Sequence, residues 1–218
     1  MFARGSLPAI SLSVALAGGS AVASILISGY LWVLSILLIV MSTFFAWFFR
    51  DPERKTGKGI VAPADGLILN VRDLQDRVLI STFMNLYDVH VNRAPISGTV
   101  VEIEKKRGSY LPAYDKRADK NNRVTYLIRA GIGDVEVVQI CGVFARRIVS
   151  YVEKGAKVVK GERIGMIRFG SRVDMILPKH TPKGDMITIV IRPGWHVNAG
   201  VTTVARVTRK KRNTLKGD

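Results

Sequence analysis

Two patterns of hydrophobic and polar positions divide the chain near residue 50. Residues 7–49 form a continuous apolar tract with only small polar interruptions. A membrane-spanning helix needs roughly 20 residues, so this tract is long enough for two. It breaks at residues 28–30, where a glycine permits a turn and a tyrosine suits a membrane interface. The pattern predicts helices over 8–27 and 31–49, which together make residues 1–49 a membrane-anchoring hairpin.

The charges around the hairpin predict its orientation. A cleavable signal peptide is a poor alternative, because the tract is too long and Arg4 is the only positive residue before it. Four positive residues follow the tract closely: Arg50, Arg54, Lys55 and Lys58. Positive residues at both outer ends place both termini in the cytoplasm. We therefore expect a hairpin in the cell (inner) membrane; full spanning and re-entrant insertion give the same topology, and both stay open.

Residues 50–218 show a different pattern, which predicts a domain rich in β-structure. Short runs of β-branched and apolar residues alternate with glycine-containing turns. The predicted strands cover 66–71, 78–83, 98–103, 124–129, 135–140 and 201–207. Regular spacing of this kind is typical of a mainly β fold, either sandwich or barrel. One helix turn is expected within residues 143–151.

Two segments resemble the barrel-sandwich hybrid of biotinyl and lipoyl carrier domains. Gly155 and Gly161 punctuate two strands at the carrier spacing, and residues 61–66 look like the opening strand. A shared fold does not establish a shared chemistry, so a non-enzymatic, membrane-anchored adaptor remains an alternative. A carrier would need a lysine at a hairpin tip, and the three candidates lack the usual flanking Met or Asp: Lys154, Lys157 and Lys160.

The charge balance indicates an anionic partner. The chain has 33 Lys and Arg against 17 Asp and Glu, a formal net charge of +16, and nearly all of it lies in residues 50–218. Such a surface favours nucleic acid or an anionic membrane. The sequence has no zinc spacing, Walker loop or RNP-like aromatic motif, so we expect membrane and no nucleic acid. The basic tail at 209–212 is either a solvated end or a further contact with lipid headgroups.

Single residues limit the chemistry further. Cys141 is the only cysteine, so an intramolecular disulfide is impossible, and its apolar neighbours favour a buried structural thiol. His180 and His196 lie in turn-like settings typical of surface residues. No cluster of His, Cys and carboxylates has metal-ligand spacing, so we expect no metal.

Three distant positions supply the parts of a base-activated nucleophile. Asp65 provides a carboxylate, His90 an imidazole, and Ser171, which follows Gly170 between strand-like flanks, a hydroxyl. A histidine with a reference pKa of about 6.5 can deprotonate a serine when a carboxylate fixes its tautomer. Ordinary structural roles stay open at this point: Asp65 as a turn cap, His90 as a strand residue, and the Gly-Ser pair as a bulge.

The surrounding blocks resemble a known family. Val61-Ala-Pro-Ala-Asp-Gly66, Tyr87-Asp-Val-His-Val-Asn-Arg-Ala-Pro95 and Phe169-Gly-Ser171 each resemble a block of the phosphatidylserine decarboxylase proenzymes, in the short form of bacteria and archaea. The blocks follow the family's order, and Trp47-Phe-Phe-Arg-Asp-Pro-Glu-Arg54 resembles its junction between anchor and catalytic domain. The likeness thus covers nearly the whole chain.

The resemblance implies a self-cleaving enzyme. By that likeness Asp65 orients His90, and His90 deprotonates Ser171, whose hydroxyl attacks the carbonyl of Gly170. The products would be a β chain of residues 1–170 and an α chain of residues 171–218 that begins with a covalent pyruvoyl cofactor. The two chains would form a heterodimer, and its further oligomerisation stays open.

The resemblance also implies the reaction. The pyruvoyl group would form a Schiff base with the amine of phosphatidylserine, an anionic phospholipid, and release carbon dioxide to give phosphatidylethanolamine. His90 is the first candidate for the proton donor. Longer family members carry a further histidine where this chain has Tyr87, which makes Tyr87 a second candidate proton donor or a substrate contact. Another serine phospholipid, such as archaetidylserine, is the alternative substrate.

Overall fold

The chain divides into two compact units, Met1–Glu53 and Arg54–Asp218. The structure is a computed structural model, and it describes residues 1–143, 147–168 and 171–209. The division falls inside the charged segment that follows the apolar tract, four residues after the boundary drawn from the sequence at residue 49. A proline and alternating charges there are poor continuations of an apolar helix, which explains why the first unit ends in this segment.

The first unit is the helical hairpin that the apolar tract predicts. Helix α1 covers Leu7–Leu26 and helix α2 covers Leu31–Phe48. The two helices contact each other through a hydrogen bond of 2.7 Å between the hydroxyls of Ser20 and Ser35. Both helices have the length and the hydropathy of membrane spans. The predicted helical hairpin is confirmed.

The described residues of the second unit form fourteen short strands and one 3₁₀ turn, Lys116–Lys120. The strands are β1 Ile60–Val61, β2 Gly66–Leu74, β3 Arg77–Met84, β4 Val91–Arg93, β5 Gly98–Lys106, β6 Arg123–Ala130, β7 Gly133–Cys141, β8 Ile148–Ser150, β9 Lys157–Val158, β10 Arg163–Ile167, β11 Ser171–Pro178, β12 Met186–Ile189, β13 His196–Val197 and β14 Thr203–Thr208. The mainly β prediction is confirmed. The helix turn expected within 143–151 is wrong where it is described, because Ile148–Ser150 pairs with β10 as a strand; residues 144–146 lie outside the described residues.

The strands of the described residues form one large sheet and two small ones. The large sheet has the order β13-β2-β3-β11-β7-β6-β5-β9, and the small ones are β1-β14-β12 and β4-β10-β8. All the paired strands run antiparallel. Strand β11 lies in the middle of the large sheet, between β3 and β7. Its first residue is therefore held by neighbouring backbone on both sides.

Two hydrophobic clusters fill the second unit, and β11 contributes to both. One cluster contains Met84, Tyr126 and Val173, and the other contains Met175 and Leu177. Burial of apolar surface stabilises such clusters by about 25 cal/mol per Å². The first cluster surrounds the start of β11, where the candidate nucleophile lies.

Candidate active site

Ser171 is the first residue of β11, and its side chain is fully buried. In the sheet it pairs with Met84 of β3 on one side and with Cys141 of β7 on the other. Its hydroxyl donates a hydrogen bond of 3.4 Å to the Met84 sulfur. A thioether is a weak acceptor, so this contact holds the hydroxyl in place without activating it. Gly170, the other residue of the predicted cleavage site, lies outside the described residues.

His90 lies just before β4 and is also buried, with 1% of its surface exposed. Its Nδ1 is 2.9 Å from the backbone carbonyl oxygen of Asp88. A carbonyl oxygen can only accept, so Nδ1 carries the proton of the neutral ring and Nε2 is the basic nitrogen. The backbone of His90 is fixed as well, because its carbonyl accepts a hydrogen bond from the amide of Ile167, which ends β10.

Asp65 is a buried carboxylate with several donors around it. Arg54 binds it through two contacts, of 2.5 Å to Oδ1 and 2.7 Å to Oδ2. The backbone amides of Ala199 and Val89 donate to it at 2.7 Å and 3.4 Å. Among the described residues, the hydrogen bonds of Asp65 reach the amide next to His90 and not the imidazole itself. The direct orienting contact that the resemblance implies therefore stays a prediction.

The glycine after Asp65 has a geometric reason. Gly66 has a φ of +141°, and a Cβ built on it would lie 2.0 Å from the carbonyl oxygen of Phe83. Any other residue would push β2 away from β3 at this point. Gly66 thus allows the close strand approach that starts directly after the carboxylate.

A buried polar network joins Ser171 to the segment that carries His90. The Tyr126 hydroxyl donates to Gln139 at 2.9 Å, and Gln139 donates to Asn92 at 2.6 Å. Asn92 in turn donates to the sulfur of Met84 at 3.6 Å, the same atom that accepts from Ser171. Burial raises the pKa of Tyr126 to about 12, so its hydroxyl stays protonated as the first donor. A fully satisfied buried network of this kind favours one arrangement of its members.

Asp88 and His196 form a second contact beside the site. The Asp88 carboxylate is buried and lies 2.8 Å from Nε2 of His196. It also accepts a hydrogen bond of 2.7 Å from the backbone N–H of Asn85. His196 has an exposed side chain, as the sequence predicts, and so has His180. Reasoning from sequence missed Asp88 entirely. Its place two residues before His90 was the available signal, because residues so close share one turn.

Tyr87 lies apart from the buried group. Its side chain is 57% exposed, and its hydroxyl accepts a hydrogen bond of 3.0 Å from the Asn85 amide. The structure therefore buries Asp65, His90 and Ser171 and exposes Tyr87. Asp65 reaches the segment of His90 through the amide of Val89, and Ser171 reaches it through Met84 and Asn92.

An ion-pair cluster fixes the chain directly after Ser171. Arg172 contacts Asp119 and donates to the carboxylate of Asp174 at 2.9 Å. Burial raises the pKa of the Asp174 carboxyl, while the charge of Arg172 opposes that shift. Since Arg172 neighbours Ser171, these contacts limit the movement of the residue before them.

Comparison with known proteins shows the family of the chain. The family model described as phosphatidylserine decarboxylase matches residues 41–205. The phosphatidylserine decarboxylase proenzyme of Streptomyces griseus is 45% identical over 162 residues, 73% of each chain. That of Thermobifida fusca is 43% identical over 206 residues, 94% of this chain and 92% of the relative. The putative archaetidylserine decarboxylase proenzyme of Methanococcoides burtonii is 41% identical over 210 residues, 94% of this chain and 96% of the relative. The chain belongs to the phosphatidylserine decarboxylase family.

Proposed function

We propose that this enzyme cuts itself before Ser171 and then converts phosphatidylserine to phosphatidylethanolamine and carbon dioxide. Membership of the family and the proenzyme names of its relatives support the proposal. The observation that carries it is that Ser171, at the start of a central strand, and His90 are both buried, and that Ser171 shares the Met84 sulfur as a hydrogen-bond acceptor with Asn92, two residues after His90. A hydroxyl and a base enclosed in this way are screened from water, which would otherwise compete in an acyl transfer.

The cleavage rearranges one peptide bond. The oxygen of Ser171 attacks the carbonyl carbon of Gly170 and loses its proton, and the bond from that carbon to the Ser171 nitrogen breaks as the nitrogen takes up a proton. The resulting ester then loses the Cα proton of residue 171 and expels the Gly170 carboxylate. Hydrolysis of the remaining enamine, after its tautomerisation to an imine, consumes one water and releases ammonia.

The products of this cleavage would remain together. Strand β11 would belong to the α chain, residues 171–218, and it lies between β3 and β7 of the β chain, residues 1–170. Antiparallel pairing on both sides keeps many backbone hydrogen bonds intact after the cut. These ladders support a heterodimer of the two chains.

His90 acts as the base in this proposal. Its Nδ1 proton is committed to the carbonyl of Asp88, which leaves Nε2 to accept the proton of Ser171. Asp65 then has a supporting role, because its hydrogen bond to the amide of Val89 and its ion pair with Arg54 hold the backbone beside His90. In this proposal the carbonyl of Asp88 sets the tautomer of the His90 ring, and Asp65 fixes the position of the backbone beside it.

A pyruvoyl group at position 171 is compatible with the described surroundings. Met84 and Cys141 flank the position with uncharged side chains, since burial raises the pKa of the Cys141 thiol to about 11. Such a group provides a carbonyl that accepts the electrons left when carbon dioxide departs. His90, as the buried imidazole of the region, is the candidate for returning a proton to the product carbon. The exposed Tyr87 suits contact with the lipid headgroup.

The lipid backbone is the open part of the substrate assignment. The relative from Methanococcoides burtonii is named for archaetidylserine and aligns with nearly the whole chain, which favours an ether lipid as the second candidate. Purified chain should be assayed for carbon dioxide release from diacyl and from ether-linked serine phospholipids. We expect carbon dioxide release from the diacyl lipid. Release from the ether lipid alone would show that the ether lipid is the substrate, and no release from either lipid would reject the proposed decarboxylase activity.

The hairpin supports a place at the membrane. Two apolar helices close to positive residues fit insertion with residues 54–218 on the cytoplasmic side of the inner membrane, where the anionic substrate would be accessible. A non-enzymatic adaptor, the alternative raised by the carrier-like segments, has no support from the family to which the chain belongs.

A further inference from the structure

A cavity of about 220 Å³ opens beside the start of β11, and the charged residues in the described part of its lining are all positive. Five of the described residues around it are cations: Lys105, Lys106, Arg107, Arg123 and Arg147. The volume is below the roughly 300–1,000 Å³ of pockets that enclose drug-sized ligands. The cavity therefore suits one small anionic group better than a complete lipid.

The cations are available for a ligand. Within the described part of the chain, Lys105, Lys106, Arg107 and Arg147 make no side-chain hydrogen bond or ion pair, and Arg123 donates to the backbone carbonyl of Asp119. Lys106 and Arg123 even pair directly across β5 and β6. Like charges opposite each other destabilise a sheet, so an anion bound between Lys106 and Arg123 would reduce their electrostatic repulsion.

The cavity adjoins the proposed reaction centre. Cys141 is part of its wall and is the sheet partner of Ser171, one strand spacing of about 5 Å away. Arg147, on another side of the cavity, accepts a backbone hydrogen bond of 3.3 Å from Arg168. Arg168 and Ser171, the described residues nearest to the proposed cleavage site on its two sides, therefore each contact a residue of the cavity wall.

We infer that this basic cavity, formed by the five cations, binds the phosphate group of the anionic substrate and so places its serine moiety at residue 171. The inference rests on the proposed function and extends it to a substrate-binding site. Only two carbons and one oxygen separate the serine amine from phosphorus, so both groups must bind close together, as the cavity and residue 171 are. Arginine and lysine side chains are the usual partners of phosphate oxygens.

The positive charge of the cavity also favours binding of the substrate over binding of the product. Phosphatidylserine carries a negative phosphate, a negative carboxylate and a positive amine, while the product has lost the carboxylate and is neutral overall. A site made of cations attracts the substrate more strongly than the product. The cavity therefore favours product release after each turnover.

The test compares two full-length double variants that remove the same charge. Lys106→Gln/Arg147→Gln changes the cavity, and Lys183→Gln/Arg206→Gln changes two exposed positions outside its lining. Decarboxylation is measured in mixed micelles of neutral detergent, with the surface fraction of phosphatidylserine varied. We expect the KM of the cavity variant to rise on the order of tenfold, the usual effect of losing a charged hydrogen bond, and that of the control to change less than twofold.

Soluble anions distinguish the sources of the phosphate. Glycerophosphoserine should inhibit the unmodified chain and the control, and should inhibit the cavity variant far less. Equal KM changes in both variants would overturn the inference and reduce the cations to general surface charge. Inhibition by inorganic phosphate without any by glycerophosphoserine would also overturn it, because the site would then take free phosphate.

Failure of the proposed function gives a different pattern. Gel analysis shows whether each protein splits, and an unmodified chain that neither splits nor releases carbon dioxide would reject the function itself. Calorimetric titration of glycerophosphoserine into the full chain still tests the cavity in that case. Binding to the control but not to the cavity variant would support the site, and equal binding to both would reject it.

Discussion

The ion pair of Arg54 and Asp65 offers a quantitative test of how the site is held. The two side chains are 12% and 6% exposed, and they share two charged hydrogen bonds of 2.5 Å and 2.7 Å. Removing one partner of a buried pair costs about 3–5 kcal/mol, because the other charge stays buried. In Asp65→Asn an amide oxygen can still accept from Ala199, so we expect about 3 kcal/mol, or a melting temperature lower by roughly 6–12 °C.

The assay is thermal unfolding of the full chain in detergent, with Arg54→Gln, Asp65→Asn and the double variant measured together. We expect the double variant to lose clearly less stability than the sum of the single losses, because no unpaired charge remains. The exposed pair of Arg129 and Asp134 provides the control, and its removal should cost less than about 1 kcal/mol. Strict additivity, or losses no larger than in the control pair, would refute the reasoning.

The same variants separate two roles of the carboxylate in cleavage. If Asp65 acts by holding the backbone beside His90, Arg54→Gln should slow self-cleavage about as much as Asp65→Asn does, since both release the same segment. In a catalytic triad, replacing the carboxylate by an amide lowers the rate about 10⁴-fold. A loss of that size in Asp65→Asn, with normal cleavage in Arg54→Gln, would show a direct action on the imidazole.

Three further predictions concern other parts of the chain. Because burial raises the pKa of the Cys141 thiol to about 11, only about one molecule in a thousand is a thiolate at pH 8. Iodoacetamide should therefore label Cys141 in the denatured protein only. Rapid labelling of the native protein would contradict the burial of this thiol. Burial raises the pKa of Tyr126 to about 12, so the neutral hydroxyl contributes its full stability to the fold below about pH 10, the pKa in the unfolded chain, and this contribution is lost as the pH rises through 12. The free energy of unfolding should therefore fall by about 2–3 kcal/mol between about pH 10 and pH 12. An equal fall in the Tyr126→Phe variant would show that another group causes it. Protease added outside intact spheroplasts should leave residues 54–218 undigested, and digestion would reverse the proposed topology.

The elements of the fold were largely predictable from local pattern. The helices predicted from the apolar tract agree with α1 and α2 within one residue at each end. A membrane-spanning helix needs about 20 apolar residues, and a tract of that length is visible in the sequence. Five strands between Gly66 and Cys141, namely β2, β3, β5, β6 and β7, followed from alternation and glycine punctuation, whereas the three-residue strand β4 did not. The segment around Ile148–Ser150 was misjudged because a three-residue strand is too short for any periodicity to be visible.

The sequence suggests the residues of the candidate site, but it does not predict their contacts. Asp65, His90 and Ser171 are candidates because of the motif blocks, whereas a described partner of the imidazole is the backbone carbonyl of Asp88, a group that every residue has. The buried link from Gln139 to Asn92 joins residues far apart in sequence, and only the strand arrangement brings them together.

The basic cavity was hidden for a related reason. Three of its cations are consecutive, Lys105, Lys106 and Arg107, and in sequence such a run is typical of a solvated strand end. The cavity exists because the strand register sets Arg123 opposite Lys106, and the chain returns with Arg147 on another side. Neither fact has a signature in the local sequence.

The most direct test of the account is the intact mass of the purified chain and of its Ser171→Ala variant. The account predicts that the unmodified protein gives two chains, 1–170 and 171–218, the second lighter by one ammonia than its sequence requires, since a pyruvoyl group replaces the serine. Ser171→Ala should remain one chain of 218 residues without decarboxylase activity. Ser171→Cys should still split in part, because a thiol can attack the same carbonyl. A Ser171→Ala protein that splits at this position, or an active unmodified protein that stays intact, would contradict the account.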